Sequence, residues 1–252
     1  MANGVDGVPD GVVVEVVVDG VMDDASWGRT WLQSSRARAW PGQSGRSRGA
    51  TIAIMGAQDW VTPVTLTGQR IRMEPLAERH IDDLADIGLD DVTWRWTIMG
   101  PQTADGLRRW VETALRNARD GTEVPFATVA LDTGRAIGSS RFMTIVPEHR
   151  RLEIGWTWVG APFQRSGANR EAKLLQLTHA FETLGAERVE FKAHARNELS
   201  RAALLGIGAT FEGVHRRHTI MPDGSNRDSA YFSIIAPEWP AVRERLRAKI
   251  AR

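Results

Sequence analysis

The sequence predicts an α/β fold of about seven strands with helices between them, and three observations predict it. The first is a strand-loop-helix-strand unit running from Leu152 to Ala193. The second is a pair of apolar runs, Phe126 to Leu131 and Ala136 to Phe142, joined by the turn signal Asp132-Thr133-Gly134-Arg135. The third is a last hairpin, Phe211 to Ile220 and Ser229 to Ile235, around Met221-Pro222-Asp223-Gly224.

Taken in order, Leu66 to Leu76 reads as the first strand and Ala77 to Gly88 as a helix. A second helix spans Thr103 to Ala118, with the Thr103 hydroxyl placed to cap its first free amides. The Asp132–Arg135 hairpin follows. Leu152 to Val159 is then an apolar strand, alternating over Glu153-Ile154-Gly155-Trp156-Thr157-Trp158 and stopped by Pro162. After a short loop a helix starts near Asn169, where Leu174, Leu177, Phe181 and Leu184 recur at helical spacing and Gly185 suits a left-handed C-terminal cap. Arg188 to Ala193 is the next strand, and Pro237 to Ala251 a terminal helix.

The loop Gln164-Arg165-Ser166-Gly167-Ala168-Asn169 carries the most chemistry. The first amides of a helix have no intrahelical acceptor and the helix dipole is positive there, so a loop with little side-chain bulk can wrap a pyrophosphate. It lacks the Gly-Lys-Ser/Thr ending of a P-loop and the three glycines of a dinucleotide fingerprint. It resembles the acetyl-CoA loop of the GNAT superfamily of N-acetyltransferases, Gln/Arg-x-x-Gly-x-Gly/Ala, with Gln164 and Gly167 matching and Asn169 departing from the usual Gly or Ala. Asn tolerates unusual backbone angles and caps helices, so the loop can keep its shape. Downstream, Asn197-Glu198-Leu199-Ser200-Arg201-Ala202-Ala203 and Gly208-Ala209-Thr210-Phe211-Glu212-Gly213 resemble a segment of the RimJ/RimL-type ribosomal-protein N-acetyltransferases. The resemblance spans roughly Trp60 to Arg243 and implies a GNAT fold: a mixed, mostly antiparallel sheet whose fourth and fifth strands splay apart.

That resemblance implies acetyl-CoA as cosubstrate, with the phosphates on residues 164–169 and the pantetheine and thioester along Trp156, Thr157, Trp158 and Val159. It also implies that Asn197 bonds the pantetheine or steadies its turn, and that Ser200 gives a proton to the departing thiolate. Tyr231, the single tyrosine of the chain, is the alternative acid. An α-amino group has a pKa of roughly 8, so a modest base suffices; Glu153 is the first candidate, with Glu190 and His194 nearby in sequence. Glu212 matches a family glutamate whose role could be structural. The aromatic run Thr93-Trp94-Arg95-Trp96-Thr97 falls where family members wall the acceptor site, so Trp94 and Trp96 would shape the pocket and Arg95 make a polar contact. Packing explains the same residues.

His215-Arg216-Arg217-His218 has metal-like spacing, but on a regular strand an offset of three sends the two rings to opposite faces, so it reads as a solvated basic hairpin without a metal. A net charge of +1 gives no reason to expect nucleic acid. Zero cysteines exclude disulfides, thiolate zinc sites and a cysteine nucleophile. No apolar run reaches membrane-spanning length.

Residues 1–57 read as a disordered or spurious extension ahead of an acetyltransferase domain over 58–252: Val12–Val18 is short and broken by Glu15, Ser34–Gly49 has no periodicity, and Met55 is the expected start. Three functions remain open. One is acetyl transfer to a primary amine such as a protein N-terminal α-amine, by a cytoplasmic monomer or homodimer. Another is acetylation of a small amine, an antibiotic or a polyamine drawn by Asp82, Asp83, Asp86, Asp90 and Asp91. The third is a non-catalytic CoA-binding protein.

Overall fold

A computed structural model describes residues 56–98, 100 and 103–251; the extension read before Met55 lies outside the described residues. The first turn, Ala57–Val61, places Trp60 in the core. The elements that follow are β1 (Leu66–Thr67), β2 (Ile71–Pro75), α1 (Ile81–Gly88), α2 (Asp91–Trp94), α3 (Ala104–Arg119), β3 (Val124–Ala130), β4 (Ala136–Val146) and β5 (Arg151–Val159). The second half holds α4 (Ala168–Thr178), β6 (Arg188–His194), α5 (Glu198–Ile207), β7 (Thr210–Ile220), β8 (Asn226–Ile235) and α6 (Trp239–Ile250).

The strands form one sheet in the order β1-β2-β3-β4-β5-β6-β8-β7, antiparallel throughout except for the parallel pair β5–β6. There are eight strands because the expected strand Leu66–Leu76 folds back on itself. The Gly68 amide meets the Ile71 carbonyl at 2.9 Å. The Glu171 carboxylate, on α4, accepts from the Gln69 amide and, at 3.2 Å, from the Arg70 amide. A Cβ on Gly68 would stand 2.3 Å from Glu171 Oε1, so any side chain there would displace that tether.

The middle of the sheet is buried on both faces while the edge strand β7 is exposed, and alternation along β3 sorts its side chains: Phe126 joins one core and Ala127 the other. One core packs Phe126, Phe142, Phe191 and Phe232 against Leu177 of α4 and Leu246 of α6. The other sets Val129 and Trp158 against Leu84 of α1 and the α3 stripe Leu107, Trp110, Val111 and Ala114. Thr103 caps α3, its Oγ1 accepting from the Gly106 amide at 3.0 Å. After α4 the helix widens into a π turn, His179–Thr183, and Gly185 follows at φ +70°.

Between β5 and β6 the sheet comes apart. The two strands pair only through Arg151, Leu152 and Glu153 against Arg188, Val189 and Glu190. From Ile154 onward β5 remains bonded to β4 on one side and has no strand on the other.

Candidate active site

The opening between β5 and β6 is a cavity of about 270 Å³. A bulge shapes its β5 wall: Ser139 faces Trp158 and Arg141 faces Gly155, so β5 carries an extra residue, and Trp156 takes φ +49° there. A bulky residue in that region costs about 1–3 kcal/mol, which the surrounding packing must offset. The Arg141 guanidinium does part of this, lying 4.3 Å from the Trp110 ring and 5.3 Å from the Trp156 ring while Glu123 holds its Nη1 at 2.7 Å. Trp156, Thr157 and Trp158 all line the cavity; Val159 ends the strand, and its carbonyl accepts from Gln164 Nε2 at 3.3 Å.

The strand leads directly into the Gly-containing loop. Arg165 has φ +62° and Gly167 φ +92°, and Gly167 occupies the N-cap of α4 with no side-chain cap bond. Ser166 Oγ donates to the Phe163 carbonyl at 2.6 Å and accepts from the Ala168 amide at 3.3 Å, while Asn169 is exposed on the first turn. A Cβ on Gly167 would sit 2.9 Å from Arg70 Nη1, which brings a cation from the β1–β2 turn to the loop. Positive dipole, first-turn amides held by no cap beyond the long Ser166 bond, missing Cβ and an arginine together suit a pyrophosphate.

On the opposite wall stands α5. Asn197 is its N-cap, its Oδ1 accepting from the Ser200 amide at 3.1 Å, and both residues line the cavity. Glu153 lies at the floor, 3% exposed, with Lys192 Nζ at 3.0 Å and Thr144 Oγ1 at 3.4 Å. Burial raises its pKa above the usual glutamate value despite the lysine. His194 and His218 also line the space, and both are held below the ordinary histidine pKa, first by burial and then by neighbouring cations.

Not every expected residue arrives. Tyr231 is outside the lining; its hydroxyl reaches His218 Nε2 at 3.3 Å, so it stands behind that histidine. Trp94 and Trp96 line the cavity, but Trp94 is also core, 5.2 Å from the Trp158 ring and 5.8 Å from that of Trp110. Arg95 is not in the lining and lies over the Trp96 ring at 5.1 Å. Glu190 is held by Arg188 at 2.8 Å, and Glu212 by Arg188 and Ser233, each at 2.7 Å, which gives both a structural role.

One reading of the sequence is corrected. The rings of His215 and His218 are not on opposite faces: a β7 irregularity with Arg217 at φ +50° reverses the alternation and brings them to 5.5 Å, both against Tyr231. Three members of the acidic run are engaged locally. Asp83 and Asp86 bind Arg135 at 2.7 and 2.6 Å, and Asp90 caps α2 through the Thr93 amide at 2.8 Å.

Reading by residue type missed Lys173, Lys192, His218 and Arg227. Lys173, on α4, is 4% exposed, and its Nζ donates to Thr157 Oγ1 at 2.7 Å, Gln176 Oε1 at 3.0 Å and Ser140 Oγ at 3.2 Å. Burial lowers its pKa to about 7. Its sequence position, beside Ala172 and before Leu174 and Leu175, carries no sign of this.

Residues 70–210 match the family described as the acetyltransferase (GNAT) domain. The chain belongs to the GNAT acetyltransferase family. Related GNAT proteins include YdaF of Bacillus subtilis (strain 168), provisionally named a ribosomal N-acetyltransferase, 29% identical over 166 residues, or 66% of this chain and 87% of YdaF. A solved GCN5-related N-acetyltransferase from Brucella melitensis is 30% identical with a TM-score of 0.69, covering 74% of this chain and 85% of that one. Mycobacterium smegmatis RimJ, solved with CoA-disulfide, shares the GNAT fold at 24% identity and a TM-score of 0.66, over 75% of this chain and 96% of RimJ. This GNAT chain is thus an acyltransferase, with a mostly antiparallel eight-stranded sheet flanked by helices. Among the described residues no His/Cys/Asp/Glu group of three or more could hold a metal ion, and no helix is long and apolar enough to cross a membrane.

Proposed function

We propose that this enzyme transfers the acetyl group of acetyl-CoA to a primary amine, with a protein N-terminal α-amine as acceptor. One observation carries the reading: the unpaired edge of β5 runs from the cavity straight into the uncapped, Gly167-containing start of α4. Residues 164–169, with Arg70, would hold the phosphates, and the free backbone groups of residues 154–159 the pantetheine arm. The name of YdaF supports the choice of acceptor.

When bound, acetyl-CoA supplies the acyl thioester: a C–N bond forms to the amine as the C–S bond breaks, the nitrogen loses one proton and the sulfur gains one. The protein's part is to move those protons and fix the geometry. Glu153, with a pKa raised by burial, takes the amine proton directly or through water. Ser200 Oγ, on the first turn of α5 and in the cavity wall, gives the proton to the departing sulfur. Tyr231 could serve only through His218, from where it stands. Thr157, bonded to both Lys173 and Ser140 at 2.7 Å, keeps the β5 edge in place. The Trp94, Trp156 and Trp158 wall excludes water and strengthens each electrostatic contact.

The test is incubation of the full chain with acetyl-CoA and a panel of peptides and small amines, read by thiol release and by mass of the acceptor. Acetylated peptide N-termini support the proposal. Thiol release with small amines alone would move the acceptor to that class, and CoA binding without turnover on any amine would make the chain a binding protein.

A further inference from the structure

The acceptor half of the cavity carries more cations than carboxylates. Its described lining contains one carboxylate, Glu153, which is already paired with Lys192 at 3.0 Å. Against it stand Lys192 and Arg227 in the wall, and Arg95 and Arg196 stacked on Trp96 at 5.1 and 5.5 Å. Burial is the main cause of the lowered pKa of His194 and His218, and Arg227 adds to it in both, against an opposing Asp228 at His194.

Arg95, Arg196 and Arg227 make no ion pair among the described residues, and of the three only Arg227 lines the cavity. It enters from the start of β8, and its Nη1 donates to the Trp96 carbonyl at 3.2 Å. Its Nε is shut off from solvent and has no partner among the described residues. A guanidinium presents its donors as a planar fork whose natural complement is a carboxylate. Nη1 is spent on a backbone carbonyl and Nε is closed off, so Nη2 is the donor left for a ligand in the space this residue lines.

We infer that the amine acceptor carries a carboxylate, which Arg227 receives inside the cavity. The inference rests on the acetyl-transfer reading above and adds the chemical class of the acceptor. The carboxylate takes no part in the bond changes. It orients the amine toward Glu153 and the thioester, and it offsets the positive charge of the wall. A polycationic acceptor is excluded by the same charges. The carboxylate has two possible sources, a free amino acid or the acidic side chain of a protein's first residue.

Two matched pairs separate them: leucine against leucinamide, and the peptide amide Glu-Ala-Ala against Gln-Ala-Ala. With acetyl-CoA and the full chain, the carboxylate member of at least one pair should exceed its uncharged partner in kcat/KM by about ten-fold or more, the size of one charge-assisted hydrogen bond. In Arg227→Met and Arg227→Lys, checked by melting to be folded, that ratio should fall toward one. Equal kcat/KM within both pairs, or a ratio that survives both substitutions, overturns the inference. The same compounds are titrated calorimetrically into the enzyme with and without CoA. If no compound is acetylated, acetyl transfer is what fails. The carboxylate inference is then decided by binding, upheld if the affinity preference exists and is lost in Arg227→Met, overturned if there is none.

Discussion

Lys173→Met reverses its effect on stability with pH. A buried ammonium with only neutral acceptors, Thr157, Gln176 and Ser140, is a folded-state burden whenever it is protonated. Its pKa falls from 10.5 to about 7 on folding, so the folded state binds fewer protons than the unfolded state between those values. Stability must therefore rise with pH across that window, by about 1.4 kcal/mol per pH unit and roughly 5 kcal/mol in all. Below about pH 7 the full burden is present. Removing the amine also removes three hydrogen bonds. These are worth roughly 0.5–1.5 kcal/mol each, a loss that does not depend on pH. The variant should accordingly be more stable than wild type by about 2 kcal/mol at pH 6 and less stable by about 1 kcal/mol at pH 9. Urea unfolding of both proteins across this range, read by tryptophan fluorescence, measures the difference directly. A difference independent of pH would refute the reasoning, because it would mean that the lysine keeps its ordinary pKa in the fold.

Gly167→Val should weaken CoA binding by about ten-fold or more, since φ +92° is costly for a β-branched residue and the side chain would enter the space before Arg70; calorimetry showing unchanged affinity would remove the loop from the phosphate site. Ser200→Ala should lower kcat by about 10²-fold with the KM for acetyl-CoA little changed, as expected for loss of an acid that acts in the transition state. Undiminished turnover would dismiss Ser200 as the proton donor. In the proposed role Glu153 acts as the carboxylate, and its pKa is raised, so kcat/KM should fall as pH drops through a value above 4.5, and Glu153→Gln should abolish that limb along with most activity. A pH profile identical in shape in the variant would assign the base elsewhere.

Local signals in the sequence carried much of the fold. Thr103 caps α3, Gly185 follows α4 with positive φ, and the 132–135 turn joins β3 to β4, because each depends on residues within a few positions. Features held together over distance were not legible. The β1–β2 turn rests on Glu171, 101 residues beyond Arg70. Lys173 reads as an ordinary helix position until β4 and β5 close over it. Period-two reasoning failed where strands are irregular, at Trp156 and at Arg217, and the second of these irregularities turns His218 into the cavity. Of the candidate site, the loop was marked by its glycine and the α5 wall by the Asn197/Ser200 pair, whereas Arg227 and Lys192 gained meaning only when β6 and β8 placed them opposite Trp96 and Glu153.

A crystal structure of the full chain grown with CoA tests the central claim most directly. The pyrophosphate is expected on the amides of residues 165–169, with the pantetheine along the free edge of β5 and the sulfur in the cavity beside Ser200. CoA bound away from the β5–β6 opening, with the Gly167 loop untouched, would contradict it.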